Sequence, residues 1–259
     1  MSDISVVKRD GSVEPLNLDK VHAMVELACE NLAGVSSSQV EMNSGLQFYD
    51  GIKTNDIQEI LIRSANDLIS LDTPNYQFVA ARLLLFGLRK SVFGEHPDLP
   101  PILYNHICKC VDYGVYDEEL LTIYSEDEWE EIESYVDHER DYLFTYAGLR
   151  QVCDKYLVQD RSNNTLFETP QQMYIMIAAT LFSKYPQEKR LDYVRRYYEA
   201  ISTHKINIPT PVMAGVRTPL RQFASCVLVD VDDTLDSIFS SDMAIGYYVA
   251  QRAGIGINA

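Results

Sequence analysis

The sequence predicts an α+β protein that is mainly helical, with short strands near both ends. A short alternation of apolar residues around Arg9-Asp10-Gly11 opens the chain, and apolar positions at helical spacing dominate residues 18–202. A strand–loop–strand–helix–strand pattern follows Lys205. The predicted domains are a hairpin with a helical bundle (1–95), a helical domain (96–205), and the first strands of an incomplete α/β barrel (206–259).

Composition and charge restrict the class of partner. The chain has 259 residues, of which 46% are hydrophobic, and a formal net charge of −16. This charge repels phosphate backbones and anionic lipids, so we expect neither a nucleic acid nor a membrane as a direct partner. The N-terminus shows no signal-peptide pattern, and five cysteines at irregular spacing fit a reducing compartment. We therefore expect a cytoplasmic protein.

The cysteines and histidines of the sequence do not occur at the spacings that are typical of metal sites. Cys108 and Cys110 are two residues apart on a predicted helix and point to different sides, with no second pair at zinc-site spacing. Cys29 and Cys153 lie on apolar helix faces, which is typical of structural cysteines. We predict no metal in this chain.

The first domain is predicted to open with a β-hairpin of Ile4–Val7 and Val13–Leu16. Helices follow where capping residues precede apolar residues at helical spacing. The predicted helix starts are Asn17 or Asp19, Thr54 and Thr73-Pro74, and Gly94 ends the last helix.

The second domain follows a proline-rich linker, His96–Pro101. Ser125 and Glu128 match a capping box before Trp129. The predicted helices are 102–113, 117–124, one starting at 125, 142–155, 170–184 and 187–202, with a small hairpin of 155–159 and 165–168.

The stretch from Ile208 to Cys226 is the main candidate for a ligand site. It is predicted to be a short strand, a loop with the basic residues Arg217 and Arg221, and a buried strand that begins at Cys226. A loop with these side chains suits an anionic ligand, and Cys226 would lie at the edge of the cavity. The alternative is a barrel strand with a polar loop.

A second reading of the same region is a phosphatase of the haloacid-dehalogenase type. Val227–Leu235 resembles its first motif, in which Asp230 would be the nucleophile and Asp232 the acid/base. That fold needs a lysine and further aspartates well downstream, and only 24 residues follow Leu235, so this reading is the least favoured.

Four motifs carry a resemblance over the C-terminal part. They are Pro209-Thr210-Pro211, Gly215-Val216-Arg217-Thr218-Pro219, Gln222–Leu228 and Gln251–Gly256. In order and spacing they resemble the catalytic large subunit of class I ribonucleotide reductase. Val7–Ser12 resembles the start of the ATP cone of that family, so the resemblance covers essentially the whole chain.

The resemblance to the ATP cone implies an allosteric site for ATP or a deoxynucleoside triphosphate. The corresponding residues are Lys8, Glu14, Pro15, Leu16, Asn17, Leu18, Asp19, Lys20, Thr54 and Lys90. Gln58 and Gly87 stand where the family pattern suggests histidines. We therefore expect ATP binding with weak inhibition by dATP.

The resemblance to the reductase also implies sites in the third domain. Cys226 matches one member of the cysteine pair that reduces the ribose after a thiyl radical has removed its 3′ hydrogen. The implied substrate contacts are Thr210, Ser225 and Gly254, and the implied specificity-effector contacts are Asp233, Thr234 and Leu235.

The remaining catalytic residues of the family lie beyond Ala259. The resemblance therefore implies that this chain is inactive alone and is completed by a second chain carrying the rest of the large subunit, with a slight preference for a naturally split subunit over a truncated one. Its other implied partners are ribonucleoside diphosphates, thioredoxin or glutaredoxin as the reductant, and a small subunit with a diiron centre and a tyrosyl radical. The alternative is a nucleotide-binding regulatory module without catalysis, which Cys226 and its loop disfavour.

Overall fold

In the computed structural model, the described residues are 4–45, 47–94, 96–251 and 253–258. They group into two compact units. Unit 1 takes in the described residues of 1–100 with 138–155 and 165–169, and unit 2 takes in those of 101–137, 156–164 and 170–259. The predicted α+β class with mainly helical content is confirmed, whereas the three domain boundaries stay a prediction.

The elements in chain order are β1 (Ser5–Val7), β2 (Val13–Pro15), α1 (Leu18–Cys29), α2 (Ser37–Gly45), β3 (Ile52–Lys53), α3 (Thr54–Asp67), α4 (Tyr76–Phe93), α5 (Leu103–Asp112), α6 (Leu120–Ile123), α7 (Glu126–Ser134), a 3-10 helix (His138–Leu143), α8 (Tyr146–Gln151), a π-helix (Val152–Tyr156), β4 (Gln159–Asp160), β5 (Thr165–Leu166), α9 (Pro170–Phe182), α10 (Gln187–Ser202), α11 (Thr210–Gly215), β6 (Cys226–Asp230), α12 (Leu235–Ala250) and β7 (Gly254–Asn258).

A three-stranded sheet opens unit 1, with β1 in its centre. β1 pairs antiparallel with β2, as the hairpin pattern predicts, and parallel with β3. The hairpin turn contains Gly11 at a φ of 85°, a conformation that glycine adopts without strain. Val6 of β1 and Ile52 of β3 are buried.

The helices of unit 1 surround a core formed mainly by α3 and α4. Its members are 8% exposed or less, and they include Val25, Leu61, Val79, Leu83 and Leu85. Asn17 caps α1 by accepting a hydrogen bond from the Lys20 amide, which fits one of the two predicted starts. α3 starts at Thr54 and α4 ends before Gly94, also as predicted.

Three features of unit 1 differ from the sequence-based prediction. α2 was not predicted, because its sequence shows almost no apolar periodicity. Its buried residues are Val40 and Ser44. α4 starts at Tyr76, two residues after the predicted Thr73-Pro74 start, because the Thr73 hydroxyl bonds back to the Leu68 carbonyl. The single helix predicted for 142–155 is instead divided into the 3-10 helix, α8 and the π-helix.

Unit 2 is built around α9, of which residues 170–179 are all buried. The capping box of α7 is confirmed, with the Ser125 hydroxyl and the Glu128 carboxylate each accepting a hydrogen bond from the other residue's amide. Trp129 then packs edge-to-face on Tyr124, whose hydroxyl donates to the Ala179 carbonyl of α9. α10 has the predicted bounds.

Thr210–Gly215 form α11 where a strand and the start of a loop were predicted, whereas residues 216–225 form a loop as predicted. Pro209 precedes α11 and Pro211 lies in its first turn, a position that proline favours because its fixed φ suits a helix start. Arg217, one of the two basic residues of the loop predicted to suit an anionic ligand, is completely buried, and Arg221 pairs with Asp117 and Glu119.

The last part of unit 2 is a β6–α12–β7 segment, in which β6 and β7 pair in parallel. The predicted strands and helix are confirmed, but the prediction that the first strand is buried is wrong. Cys226 is exposed and Leu228 is 84% exposed, because α12 packs against β6 and β7 but leaves these two side chains open to solvent. Arg252, within the Gln251–Gly256 motif, and Ala259 lie outside the described residues.

Among the described residues, no helix combines the length and the apolar character needed to cross a bilayer. Cys29 and Cys108 are half-buried, Cys110 and Cys153 are buried, and Cys226 is exposed.

Candidate nucleotide and substrate sites

A cluster of positive charges gathers around Lys90 in unit 1. Partial burial lowers the pKa of Lys90, and the positive charges of three neighbours lower it further. These neighbours are Arg9, Lys8 and Lys20. Like charges held this close raise one another's free energy, and a bound polyphosphate would relieve that repulsion. The negative charge of Glu14 offsets part of it, since Glu14 lies 3.3 Å from the Lys8 ammonium.

The start of α3 adds backbone donors beside this cluster. Val7 of β1 and Lys53 of β3 are register partners in a parallel pair. The residues that follow them, Lys8 and Thr54, therefore lie beside each other where the two strands end. Lys53, at the cap position of α3, makes no side-chain capping hydrogen bond. The first amides of this 14-residue helix therefore keep their donor capacity, which suits a phosphate at the positive end of the helix dipole.

Two cavities in unit 1 adjoin these residues. The first has a volume of about 540 Å³ and is lined by the consecutive residues from Glu14 to Lys20, seven of the predicted contacts. The second has a volume of about 530 Å³, and its lining includes Arg9, Asn55, Gln58, Gly87 and Lys90. The structure thus places seven predicted contacts on one cavity and Lys90 on the other. Lys8 and Thr54 line neither cavity.

Gln58 and Gly87 form a close contact in the second cavity. The Gln58 amide donates to the Leu83 carbonyl over 2.5 Å, which holds the side chain across α4. A Cβ on residue 87 would lie 3.3 Å from Gln58 Cγ, so the glycine leaves the space that Gln58 occupies. A larger side chain at residue 87 would therefore require Gln58 to move.

Cys153 also lines the second cavity, but it is a poor nucleophile. Burial raises the pKa of its thiol to about 12. The thiol therefore stays protonated at neutral pH, which fits the structural role predicted for this cysteine.

The predicted effector contacts lie at the start of α12. The Thr234 hydroxyl caps this helix by accepting a hydrogen bond from the Ser237 amide, and Ser237 Oγ accepts from the Asp232 amide. Asp233 and Thr234 are exposed, and Leu235 is 71% exposed. The loop is therefore ordered by its own hydrogen bonds while its side chains remain accessible.

Three of the four predicted catalytic and substrate residues lie together at the start of β6. Cys226 and Gly254 are register partners, and the Gly254 amide donates to the Ser225 carbonyl over 3.1 Å. A Cβ on residue 254 would lie 3.0 Å from that carbonyl, so only glycine allows this approach without a shift. Ser225 Oγ lies 3.8 Å from Cys226 Sγ. A hydroxyl and a thiol thus face outward from one strand end.

Thr210, the fourth of these residues, lies at the start of α11. Its hydroxyl is 3.3 Å from the Tyr156 hydroxyl. Tyr156, like Arg9 and Asn55 at the cation cluster, was not singled out from the sequence. Arg9 Nε donates to Asn55 Oδ1 over 2.6 Å across 46 positions of sequence, and no local pattern signals such a contact.

The structure gives no support to a phosphatase of the haloacid-dehalogenase type. Asp230 accepts a hydrogen bond from Asn258 of β7, and the amide of Asp232 is bonded to Ser237. Within the part of the chain that the structure describes, no three His, Cys, Asp or Glu residues form a group that could hold a metal ion.

Two family models match the chain. Residues 4–91 match the ATP cone domain, and residues 142–221 match the all-alpha domain of ribonucleotide reductase.

The full-length comparisons extend over nearly the whole chain. It is 54% identical to the ribonucleoside-diphosphate reductase 1 subunit alpha of Escherichia coli (strain K12), across 99% of this chain and 34% of that protein. The subunit alpha of Enterobacteria phage T4 is 43% identical, and that of Helicobacter pylori is 34% identical across 98% of this chain and 31% of that protein. The chain spans about a third of the length of these relatives. It therefore belongs to the ribonucleotide reductase alpha-subunit family and corresponds to the N-terminal portion of that subunit, with its ATP cone and all-alpha domain.

Proposed function

We propose that this chain supplies the allosteric domain and part of the substrate site of a ribonucleoside-diphosphate reductase. The observation that carries this proposal is the outward-facing group of Ser225, Cys226 and Gly254 at one strand end. A regulatory module needs no exposed thiol there, whereas a reductase that works through a dithiol does.

In the proposed reaction, Cys226 provides one of two thiols, and the rest of the alpha subunit provides the other. The two thiols lose two electrons and two protons as their sulfur–sulfur bond forms. The 2′ hydroxyl of the substrate leaves as water, and its carbon gains a hydrogen. Ser225 and Gly254 position the ribose beside Cys226, and Thr210 binds another polar group of the ribonucleoside diphosphate.

The remaining parts of the reaction are proposed from family membership. A small subunit with a diiron centre and tyrosyl radical starts the radical chemistry, and thioredoxin or glutaredoxin reduces the disulfide. The residues at the start of α12 (Asp233, Thr234 and Leu235) bind the effector that selects the substrate. We propose that the chain alone is inactive.

The ATP cone is proposed to bind ATP through the cation cluster of Lys8, Arg9, Lys20 and Lys90. The pKa of Lys90 is lowered by its partial burial and by its like-charged neighbours Arg9, Lys8 and Lys20, and this crowding of positive charge supports the assignment. The uncapped amides at the start of α3 add donors for the phosphates.

The catalytic part of the proposal is tested by Cys226→Ser in the reductase assembled from this chain, the rest of the alpha subunit and the small subunit. We expect this variant to lose dithiol-dependent turnover and to keep its affinity for ATP, since replacing sulfur by oxygen changes the size little. Turnover is measured as deoxycytidine diphosphate formed with thioredoxin as the reductant.

Cys108→Ser is the matched control, because Cys108 is half-buried on α5 and makes no part of the proposed site. It should retain turnover. Full turnover by Cys226→Ser would leave the regulatory module as the better function, whereas turnover by the chain without its complement would contradict the proposal that the rest of the alpha subunit is needed.

A further inference from the structure

Arg217 is a charged side chain with no exposed surface. Removing a guanidinium from water is costly unless its hydrogen-bond donors are satisfied. Its Nη1 donates to the Met213 carbonyl over 2.5 Å, and its Nη2 donates to the Tyr156 carbonyl over 3.0 Å. The Arg217 carbonyl in turn accepts from the Asp117 amide over 3.0 Å. A side chain held in this way is a fixed part of unit 2.

The two carbonyls belong to segments that also meet through their side chains. Met213 lies on α11, one turn after Thr210, and Tyr156 ends the π-helix. The Tyr156 hydroxyl reaches the Thr210 hydroxyl at 3.3 Å. Arg217, α11 and Tyr156 therefore form a closed ring of contacts, with Thr210 at its exposed side.

We propose that Tyr156, anchored by Arg217, is a positioning residue that orients the Thr210 hydroxyl toward the substrate. This inference rests on the proposed function of Thr210 as a substrate contact. A threonine hydroxyl has one hydrogen to donate and can accept two hydrogen bonds. When the Tyr156 hydroxyl donates to Thr210, the single hydrogen of Thr210 points away from Tyr156. It is then available for an acceptor oxygen of the ribonucleoside diphosphate.

This arrangement predicts an effect on substrate binding with little effect on the chemical step. The contact between Thr210 and an unreacting substrate oxygen is equally strong in the ground and transition states, so its loss raises KM and leaves kcat unchanged. Breaking the backbone anchor would release both segments, but Arg217→Met leaves buried carbonyls unpaired and is expected to destabilise folding. Tyr156→Phe removes only one hydroxyl and is the better variant.

The test measures KM and kcat for cytidine diphosphate in the assembled reductase with ATP as the effector. We expect Tyr156→Phe to raise KM about threefold to tenfold, the range for the loss of one neutral hydrogen bond, with kcat within a factor of two. Thr210→Ala should raise KM at least as much. The double variant should match Thr210→Ala alone, since Tyr156 acts through that hydroxyl. Tyr185→Phe, which also removes a phenol hydroxyl from unit 2, should leave KM unchanged.

The outcomes separate this inference from the proposed function. If Thr210→Ala raises KM and Tyr156→Phe does not, or if the two effects multiply in the double variant, the positioning role is wrong and Thr210 remains a substrate contact. If Thr210→Ala leaves KM unchanged, Thr210 is no substrate contact and both proposals for this residue fail. A fall in kcat at constant KM for Tyr156→Phe would show a structural role only.

Discussion

The ATP cone in unit 1 and the β6–α12–β7 segment in unit 2 present their candidate residues in opposite settings. In the cone, the cations and the start of α3 stand on a packed core, and two cavities adjoin them. On the β6–α12–β7 segment, the candidate residues lie on an open surface beside apolar side chains. Leu235, Phe239, Met243 and Tyr247 follow one another every four residues along α12, and each is at least 61% exposed.

This difference shows what each region provides by itself. The cone brings charge, backbone donors and a cavity together from its own residues. The strand end at Cys226 presents a thiol and a hydroxyl without enclosing them, so any exclusion of water has to come from residues outside this chain. Regulation is therefore expected to be measurable on this chain alone, whereas reduction is not.

The largest expected difference concerns stability. Leu61 is completely buried in the cone, so Leu61→Ala removes packed methyl groups and should lower the free energy of unfolding by about 2–5 kcal/mol. Phe239 on α12 is 68% exposed, and Phe239→Ala should change this free energy by less than about 0.5 kcal/mol. Urea denaturation of the chain measures both. A destabilisation above about 1 kcal/mol for Phe239→Ala would show that its ring is packed in solution. The proposed difference between the packed cone and the open surface of α12 would then be wrong.

A smaller effect is expected on nucleotide affinity. Lys8→Ala and Lys90→Ala should each weaken ATP binding by about 1.5–3 kcal/mol, the range for a hydrogen bond to a charged group. Calorimetric titration of the chain with ATP measures the change. Lys189→Ala is the matched control, since Lys189 lies on α10 of unit 2 and is none of the residues proposed to bind ATP. Unchanged affinity in both variants would mean that ATP binds elsewhere.

The weakest expected effect concerns inhibition by dATP. Because Gln58 and Gly87 stand where the family pattern suggests histidines, we expect dATP to inhibit the assembled reductase only weakly. The double variant Gln58→His with Gly87→His should restore inhibition at lower dATP, whereas Gly87→His alone should clash with Gln58. Activity across a dATP titration measures this. Ordinary inhibition of the parent protein at low dATP would show that these two positions do not control it.

Local signals in the sequence predicted the elements that depend on local contacts. The hairpin turn at Gly11, the capping box of Ser125 and Glu128, and the bounds of α10 all follow from neighbouring residues. The prediction of a strand and loop at residues 208–225 is wrong for α11, since the prolines there suit the first turn of a helix as well as a loop.

The site residues show the same division between local and distant contacts. Ser225, Cys226 and Gly254 were predicted from motifs, and their adjacency follows from parallel strand pairing. The roles of Arg217 and Tyr156 were not predictable, because their contact joins positions 61 apart. A basic residue in a loop suggests exposure and ligand binding, and only tertiary structure shows that Arg217 is buried and bonded to carbonyls.

The central position of β1 in its sheet has a consequence for the order of folding. β1 and β2 form a local hairpin, which closes on a microsecond timescale. β3 pairs with β1 but follows it in the chain only after α1 and α2. The Ser5 amide donates to the Asp50 carboxylate across 45 positions of sequence. Closing that long loop costs entropy, so the start of α3 reaches Lys8 late in folding. ATP, which would bridge these two segments, should then slow the unfolding of the cone by binding only to the completed sheet.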